Sequence, residues 1–246
     1  MRVNRAHVDA PLAAGVRVSL PDNVAAHLLR VLRLGVGDAC VLFNGDGRDY
    51  DARIVAAGRR DAAVDVTASR AVDNESPLRI VLLQGIARGE KMDWILQKAT
   101  ELGAAAFLPV SSERSAVRLS GERSARRLEH WRQVVVAACE QSGRARVPEV
   151  ASPQALQDAV ARLPDTALRL LLDPQASAGT ESLPEPGAGG CCLAIGPEGG
   201  WSPRDRVALE GAGFDGLRLG PRVLRTETAG IAGIAALQAR FGDLSA

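Results

Sequence analysis

RIVLLQGIARGEKMDWILQKATELGAAAFLPV, residues 79–110, reads as a strand, a helix around Met92 to Leu102 closed by Gly103, and a second strand, AAAFLPV. Strands alternating with helices argue a parallel sheet with helices on its faces. The rhythm continues downstream with a long helix near Arg123 to Gln141, a helix near Pro153 to Arg162 and the strand LRLLL. A loose Pro/Gly/Ser stretch from Asp173 to Gly190 leads to the strand CLAI. Ser202 and Pro203 then suit the cap and first turn of a helix ending near Gly211. The strand GLRLG and a helix from about Glu227 to Phe241 finish the pattern. That last helix spreads Ile231, Ile234, Leu237 and Phe241 over more than one face, which fits a subunit contact or an internal sandwich equally well.

Upstream the rhythm differs. Asp73-Asn74-Glu75-Ser76-Pro77 makes a polar link. Before it come short strands and turns: RVSL, DACVLF, the turn Asn44-Gly45-Asp46-Gly47, YDARIV and AAVDVT. They predict a small β-barrel, interrupted by one helical piece in which Val24, Leu28, Val31 and Leu32 recur at helical spacing. The expected domains are residues 1–72 and residues 73–246.

The 246 residues, 46% of them apolar, suit one large or two modest domains and not a disordered chain. A net charge of +1 leaves any nucleic-acid role to the distribution of cations. No apolar run approaches membrane-spanning length, and Met1-Arg2-Val3-Asn4-Arg5 lacks a secretory core, so a soluble cytoplasmic protein is expected. Cys40, Cys139, Cys191 and Cys192 show no paired zinc spacing, which predicts reduced thiols and no metal.

Gly211, Gly213 and Gly216 fit GxGxxG formally but end a helix and enter a strand, the wrong order for a phosphate cradle. Gly85 and Gly89 follow a strand, yet Lys91 precedes Met92, and the phosphate-loop pattern fails. The informative loops lie elsewhere. After CLAI comes Gly196-Pro197-Glu198-Gly199-Gly200, three glycines around one carboxylate at a strand's C-terminal end, where open α/β sheets bind ligands. After GLRLG comes Pro221-Arg222-Val223-Leu224-Arg225-Thr226-Glu227-Thr228-Ala229, dense in functional groups for a turn. Either loop alone reads more readily as punctuation and solvated charge; two on one sheet edge point to a site.

Arg114, Arg118, Arg123, Arg126, Arg127, Arg132, Arg144 and Arg146 form a basic stretch only half offset by glutamates, able to meet phosphates or to form solvated Glu–Arg pairs. Arg5, Arg30 and Arg33 add cations to the first domain, where His27 is structural or RNA-facing. Aromatic residues are scarce, so phosphate and shape contacts are expected in place of base stacking. Trp94 and Trp131 sit among apolar neighbours and are expected in the core.

On GPEGG and LGPRVLRTETA the sequence closely resembles the ribosomal RNA small-subunit methyltransferase E family of the SPOUT superfamily. HLLRVLRLGVGD, LFNGDGRDYDARI, KMDWILQKATELGA, SSERS and EQSGRARVPEV extend the likeness over nearly the whole chain. The resemblance implies a PUA-like N-terminal β-barrel and a C-terminal SPOUT-type α/β domain, its parallel sheet flanked by helices and its chain tied in a trefoil knot. It also implies a homodimer that uses S-adenosylmethionine to methylate N3 of a uridine in 16S ribosomal RNA. Leu172, Gly196, Gly200, Leu219, Gly220, Leu224 and Thr228 are then the expected cofactor-binding residues, and no metal is expected. The RNA-binding expectations are Arg5, His27, Arg30, Arg33, Arg114 and Arg118.

Uracil N3 carries a proton at neutral pH, so methylation calls for a proton acceptor and for stabilisation of charge on the ring oxygens. Arg225 suits the second task, because a guanidinium is a rigid, permanently charged donor fork. Glu198 and Glu227 are the carboxylates available for the first, or for holding that arginine, and the sequence does not rank them. Two rivals remain: a non-catalytic RNA-binding ribosome assembly factor, and a metabolic α/β enzyme acting on a small nucleotide.

Overall fold

The computed structural model describes residues 4–58, 62–117, 120–163 and 168–244. Its contacts divide the chain into two compact units, Met1–Glu75 with Cys139–Val147, and Ser76–Ala138 with Pro148–Ala246. The sequence reading counts residues 139–147 with the second domain; the contacts group them with the first.

The first unit contains β1 (Arg5–His7), β2 (Arg17–Ser19), α1 (Asp22–Ala26), a π-helical turn (His27–Val31), β3 (Ala39–Phe43), β4 (Arg48–Ala56) and β5 (Ala63–Ala71). The strands form one sheet in the order β1-β3-β4-β5-β2, antiparallel except for β1 beside β3. Leu28, Leu42, Ile54 and Val64 are fully buried in its core. The alternation of apolar residues along β4 and β5 puts one face of each strand into that core. Segment 139–147 is tied to this unit by polar bonds. Arg144, 4% exposed, pairs with Glu75, and its carbonyl accepts a bond from Arg5 at 3.0 Å. Arg144 is therefore a structural cation here and not a phosphate contact.

The second unit contains β6 (Ile80–Gly85), α2 (Lys91–Glu101), β7 (Ala104–Ser111), most of α3 (Gly121–Ser142), β8 (Glu149–Val150), β9 (Gln154–Ala155), α4 (Leu156–Val160), β10 (Leu168–Leu172), β11 (Cys191–Ile195), α5 (Pro203–Gly211), β12 (Asp215–Leu217) and α6 (Thr226–Phe241). The sheet runs β12-β10-β11-β6-β7-β8, with β9 also on β7, and every pairing is parallel. β6 and β11 are buried at every residue, as strands covered on both faces must be. From β6 the chain first moves outward to β7, then returns to build β10, β11 and β12 on the other side. That reversal is a topological switch point, and it leaves a crevice outside the carboxyl ends of the strands.

Local chemistry explains several elements. Ser202 and Asp205 form a reciprocal capping box for α5, with Pro203 in its first turn, as expected from the sequence. Trp131 is fully buried, but Trp94 is 50% exposed, a correction to its expected core role. α2 turns Met92, Ile95, Leu96 and Ala99 inward, and Trp94 lies off that face. The helix expected near Pro153 to Arg162 is in fact the two-residue β9 followed by the short α4, which buries Leu156 and Ala159.

Candidate active site

Four neighbouring strands, β12, β10, β11 and β6, deliver their C-terminal loops to one cavity of about 430 Å³ within the second unit. Its walls include Leu172, which ends β10, and Asp173 after it, Ile195, which ends β11, through Trp201, and Leu219 with residues 222–227 after β12. Lys91, at the start of α2, enters from the β6 side.

A buried polar pillar sets the spacing of these loops. Gln84, on β6, donates through Nε2 to the Thr226 hydroxyl at 3.1 Å, and Thr226 donates to the Gly196 carbonyl at 2.5 Å. The first residue of α6 is thereby fixed to the loop after β11. Gly200, at φ +65°, closes that loop, its N–H donating to the Pro197 carbonyl at 2.8 Å. Gly85 lets the loop pass close by: a Cβ on it would lie 2.5 Å from Pro197 Cδ and 2.6 Å from Pro197 N.

The charges are arranged in two groups. Lys91 Nζ lies 3.3 Å from Glu198 Oε1 and 3.6 Å from Glu227 Oε2. Glu198 Oε1 also accepts the Arg88 backbone N–H at 3.0 Å. Burial pushes the Glu198 carboxyl up, but the backbone N–H groups of Arg88 and Glu198 and the Lys91 ammonium outweigh it, holding the group below the usual carboxylate range. Asp173 and Arg206 form an ion pair on the same cavity wall. The bond from Arg206 is the main cause that lowers the Asp173 carboxyl. Arg225 occupies the N-cap position of α6, where its side chain makes no capping bond, and lines the cavity.

Of the residues expected from the sequence, the cavity gathers Arg225, Glu198, Glu227, Leu172, Gly196, Gly200, Leu219 and Leu224. Gly220 and Thr228 are exposed and are not among its lining residues. The expected RNA contacts divide. Arg5 corrects the expectation, because its guanidinium bonds both carboxylate oxygens of Asp49 at 2.6 Å and lies 4.8 Å over the Phe43 ring. A cation so held is occupied within its own domain. His27 is half-buried at the start of the π-helical turn, while Arg30 and Arg33 are exposed, Arg33 at φ +57°. Arg114 is exposed and donates to the Gly199 carbonyl at 3.2 Å. Arg118 lies outside the described residues.

Sequence reasoning missed Lys91, Asp173, Trp201 and Arg206 as cavity residues. A signal for Lys91 was present: it follows the C-terminal end of the first strand of the alternating pattern, and testing it only as a phosphate-loop lysine hid that position.

A parallel sheet whose strand ends converge on an apolar, glycine-walled cavity with acid, ammonium and guanidinium groups defines a cofactor-binding α/β protein. The model of an RNA methyltransferase domain matches residues 74–238, and that of an RNA methyltransferase PUA domain matches residues 20–67. Ribosomal RNA small subunit methyltransferase E of Buchnera aphidicola subsp. Schizaphis graminum is 32% identical over 99% of both chains. The protein of that name from Mycobacterium bovis is 32% identical over 94% of this chain and 89% of its own. A crystal structure of the Neisseria gonorrhoeae ribosomal RNA small subunit methyltransferase E, bound to S-adenosyl methionine, superposes with a TM-score of 0.92 at 38% identity, covering 99% of this chain and all of that one. The chain belongs to the ribosomal RNA small-subunit methyltransferase E family.

Proposed function

We propose that this chain transfers a methyl group from S-adenosylmethionine to N3 of a uridine in 16S ribosomal RNA. The observation that carries the reading is the convergence of four strand-end loops on one cavity lined by Arg225, Glu198, Glu227 and Lys91, with Lys91 paired to both acids. The assembled small subunit is the proposed substrate, the protein acts as a cytoplasmic homodimer, and Arg30, Arg33 and Arg114 meet RNA phosphates. No described helix is long and apolar enough to cross a membrane.

The residues present fit the donor. A cavity of about 430 Å³ is of ligand size. Leu172, Ile195, Leu219 and Leu224 offer apolar walls for a flat purine, while the glycines of 196–200 leave backbone groups accessible for its polar edge. Two carboxylates on the same wall suit a cationic sulfur. When bound, S-adenosylmethionine supplies an electrophilic methyl group.

The protein's own residues do the rest. The Gln84–Thr226–Gly196 pillar fixes the loops, so that donor and base are held rather than tumbling, which is how positioning lowers a bimolecular barrier. Arg225 neutralises the negative charge that spreads onto the uracil oxygens as the N3 proton leaves, and Glu198 and Glu227 supply the basic groups. A non-catalytic assembly factor gives no reason for two carboxylates and an ammonium to share a donor-sized cavity.

The test is transfer from methyl-labelled S-adenosylmethionine to undermethylated small subunits. Arg225→Ala is expected to fold and to bind donor while its rate falls by about 10²- to 10³-fold, the usual cost of one charge-stabilising donor. Wild-type rates in that variant remove Arg225 from the mechanism.

A further inference from the structure

Lys91 reaches both cavity carboxylates, yet the two acids are held differently. Glu198 Oε1 accepts the Arg88 backbone N–H and the Lys91 ammonium, so donors from the β6 loop already occupy it. Glu227 Oε2 is fully buried and accepts no hydrogen bond; Lys91 at 3.6 Å is the cation it meets. With Oε2 turned toward Lys91, the part of the carboxylate open to a substrate proton is the rest of the side chain, which is 12% exposed and lines the cavity. Arg222, Arg225 and the Asp173–Arg206 pair are the other charged groups on the cavity wall, and Arg88 and Arg114 border it through Glu198 and Gly199.

We infer that Lys91 is a positioning residue that separates the roles of the two acids, clamping Glu198 to the β6 loop and facing Glu227, the proton acceptor, as its counter-ion. The inference rests on the methyl transfer proposed above and ranks what the sequence left unranked. In the reaction the N3–H bond breaks and its proton passes to the Glu227 carboxylate. The electron pair left on N3 forms the new N–C bond, and the electrons of the breaking C–S bond stay on sulfur, which ends as a neutral thioether. Lys91 keeps its own proton throughout. Its charge offsets Glu227 before the transfer and Glu198 throughout, so the repulsion between two carboxylates lining one cavity is compensated.

The experiment compares wild type with Lys91→Met, Lys91→Arg, Glu227→Gln and Glu198→Gln. Single-turnover transfer to undermethylated small subunits is measured for each protein, and S-adenosylmethionine binding by calorimetry on each donor-free protein. Glu227→Gln is expected to lose about 10²- to 10⁴-fold in rate, the range for a general base, and Glu198→Gln less than about tenfold. Lys91→Met is expected to lose about tenfold or more in rate, because removing one partner of a partly buried ion pair leaves the carboxylates without their cation. Lys91→Arg restores the wild-type rate. Donor binding by Lys91→Met is expected to be no weaker than by wild type, since the lysine repels a cationic ligand. If Lys91→Met does not fold, Lys91→Arg and Glu227→Gln carry the test. A wild-type rate in Lys91→Met or in Glu227→Gln, a failure of Lys91→Arg to restore the rate, or donor affinity lost in step with rate overturns the assignment. Absence of transfer by the wild-type protein defeats the underlying methyltransferase reading instead.

Discussion

Asp173 and Arg206 illustrate how single groups in this cavity couple its integrity to pH. The bond from Arg206 holds the Asp173 carboxyl below the usual carboxylate range, helped by the Gln175 backbone N–H at 2.9 Å. A carboxyl lowered in the folded state contributes stability above its unfolded value, about 3.9, and that contribution is lost as pH falls through the lower folded value. Asp173→Asn is therefore expected to lower stability at pH 7 by about 1 kcal/mol, after allowance for partial exposure, with the difference closing as the pH drops below about 4. Thermal melts of both proteins at several pH values check this; a gap that stays constant down to acid pH contradicts it. Glu198, Glu227 and Arg225 were legible at this scale because they crowd two short loops at strand ends. Asp173 and Arg206 were not, because 33 positions separate them in sequence and only the fold pairs them. Arg5 misled for the same reason, its partner Asp49 lying on another strand.

Loops and strands show the same division between what local pattern reveals and what packing decides. β6 and β11 were readable because strands buried on both faces are written as short, mostly apolar runs, Ile80 to Leu83 in β6 and Cys191 to Ile195 in β11. β1 escaped notice because Arg5-Ala6-His7 offers one small apolar residue and forms a strand only by pairing with β3. The two-residue β8 and β9 are too short for any periodicity to register. The helical reading of residues 24–32 held for the buried Val24 and Leu28, but the backbone widens into a π-helical turn and leaves Val31 68% exposed. The junction of β6 with the 196–200 loop is the element-level feature most open to test. Gly85→Ala would place its Cβ 2.5 Å from Pro197 Cδ and 2.6 Å from Pro197 N, so the loop must shift. Overpacking of this kind costs about 1 to 3 kcal/mol. Because the displaced loop walls the cavity, donor affinity measured by calorimetry is expected to fall by about tenfold, a change of about 1.4 kcal/mol. Unchanged affinity would show that the loop does not set the donor site.

At the level of the whole chain, alternation of strands and helices was enough to place a parallel sheet, and the direction reversal at β6 locates the cavity on it. The return of residues 139–147 to the first unit was not legible, since the Arg144–Glu75 pair and the bond from Arg5 to the Arg144 carbonyl join positions far apart in sequence. The knot expected from the family resemblance was equally invisible to composition and periodicity, which carry no record of how a chain is threaded. α6 buries Ala229, Gly230, Gly233, Ile234, Leu237 and Gln238 and leaves Ile231 and Ala235 half-exposed, an apolar remainder consistent with the proposed homodimer. The central claim is that this molecule marks one uridine through the cavity where β12, β10, β11 and β6 end. Mass spectrometry of nucleosides and fragments from small-subunit ribosomal RNA of cells lacking the protein tests it most directly. The account predicts one missing N3-methyluridine, restored by the wild-type chain and not by Arg225→Ala; an unchanged methylation pattern, or a loss at a different base, would contradict it.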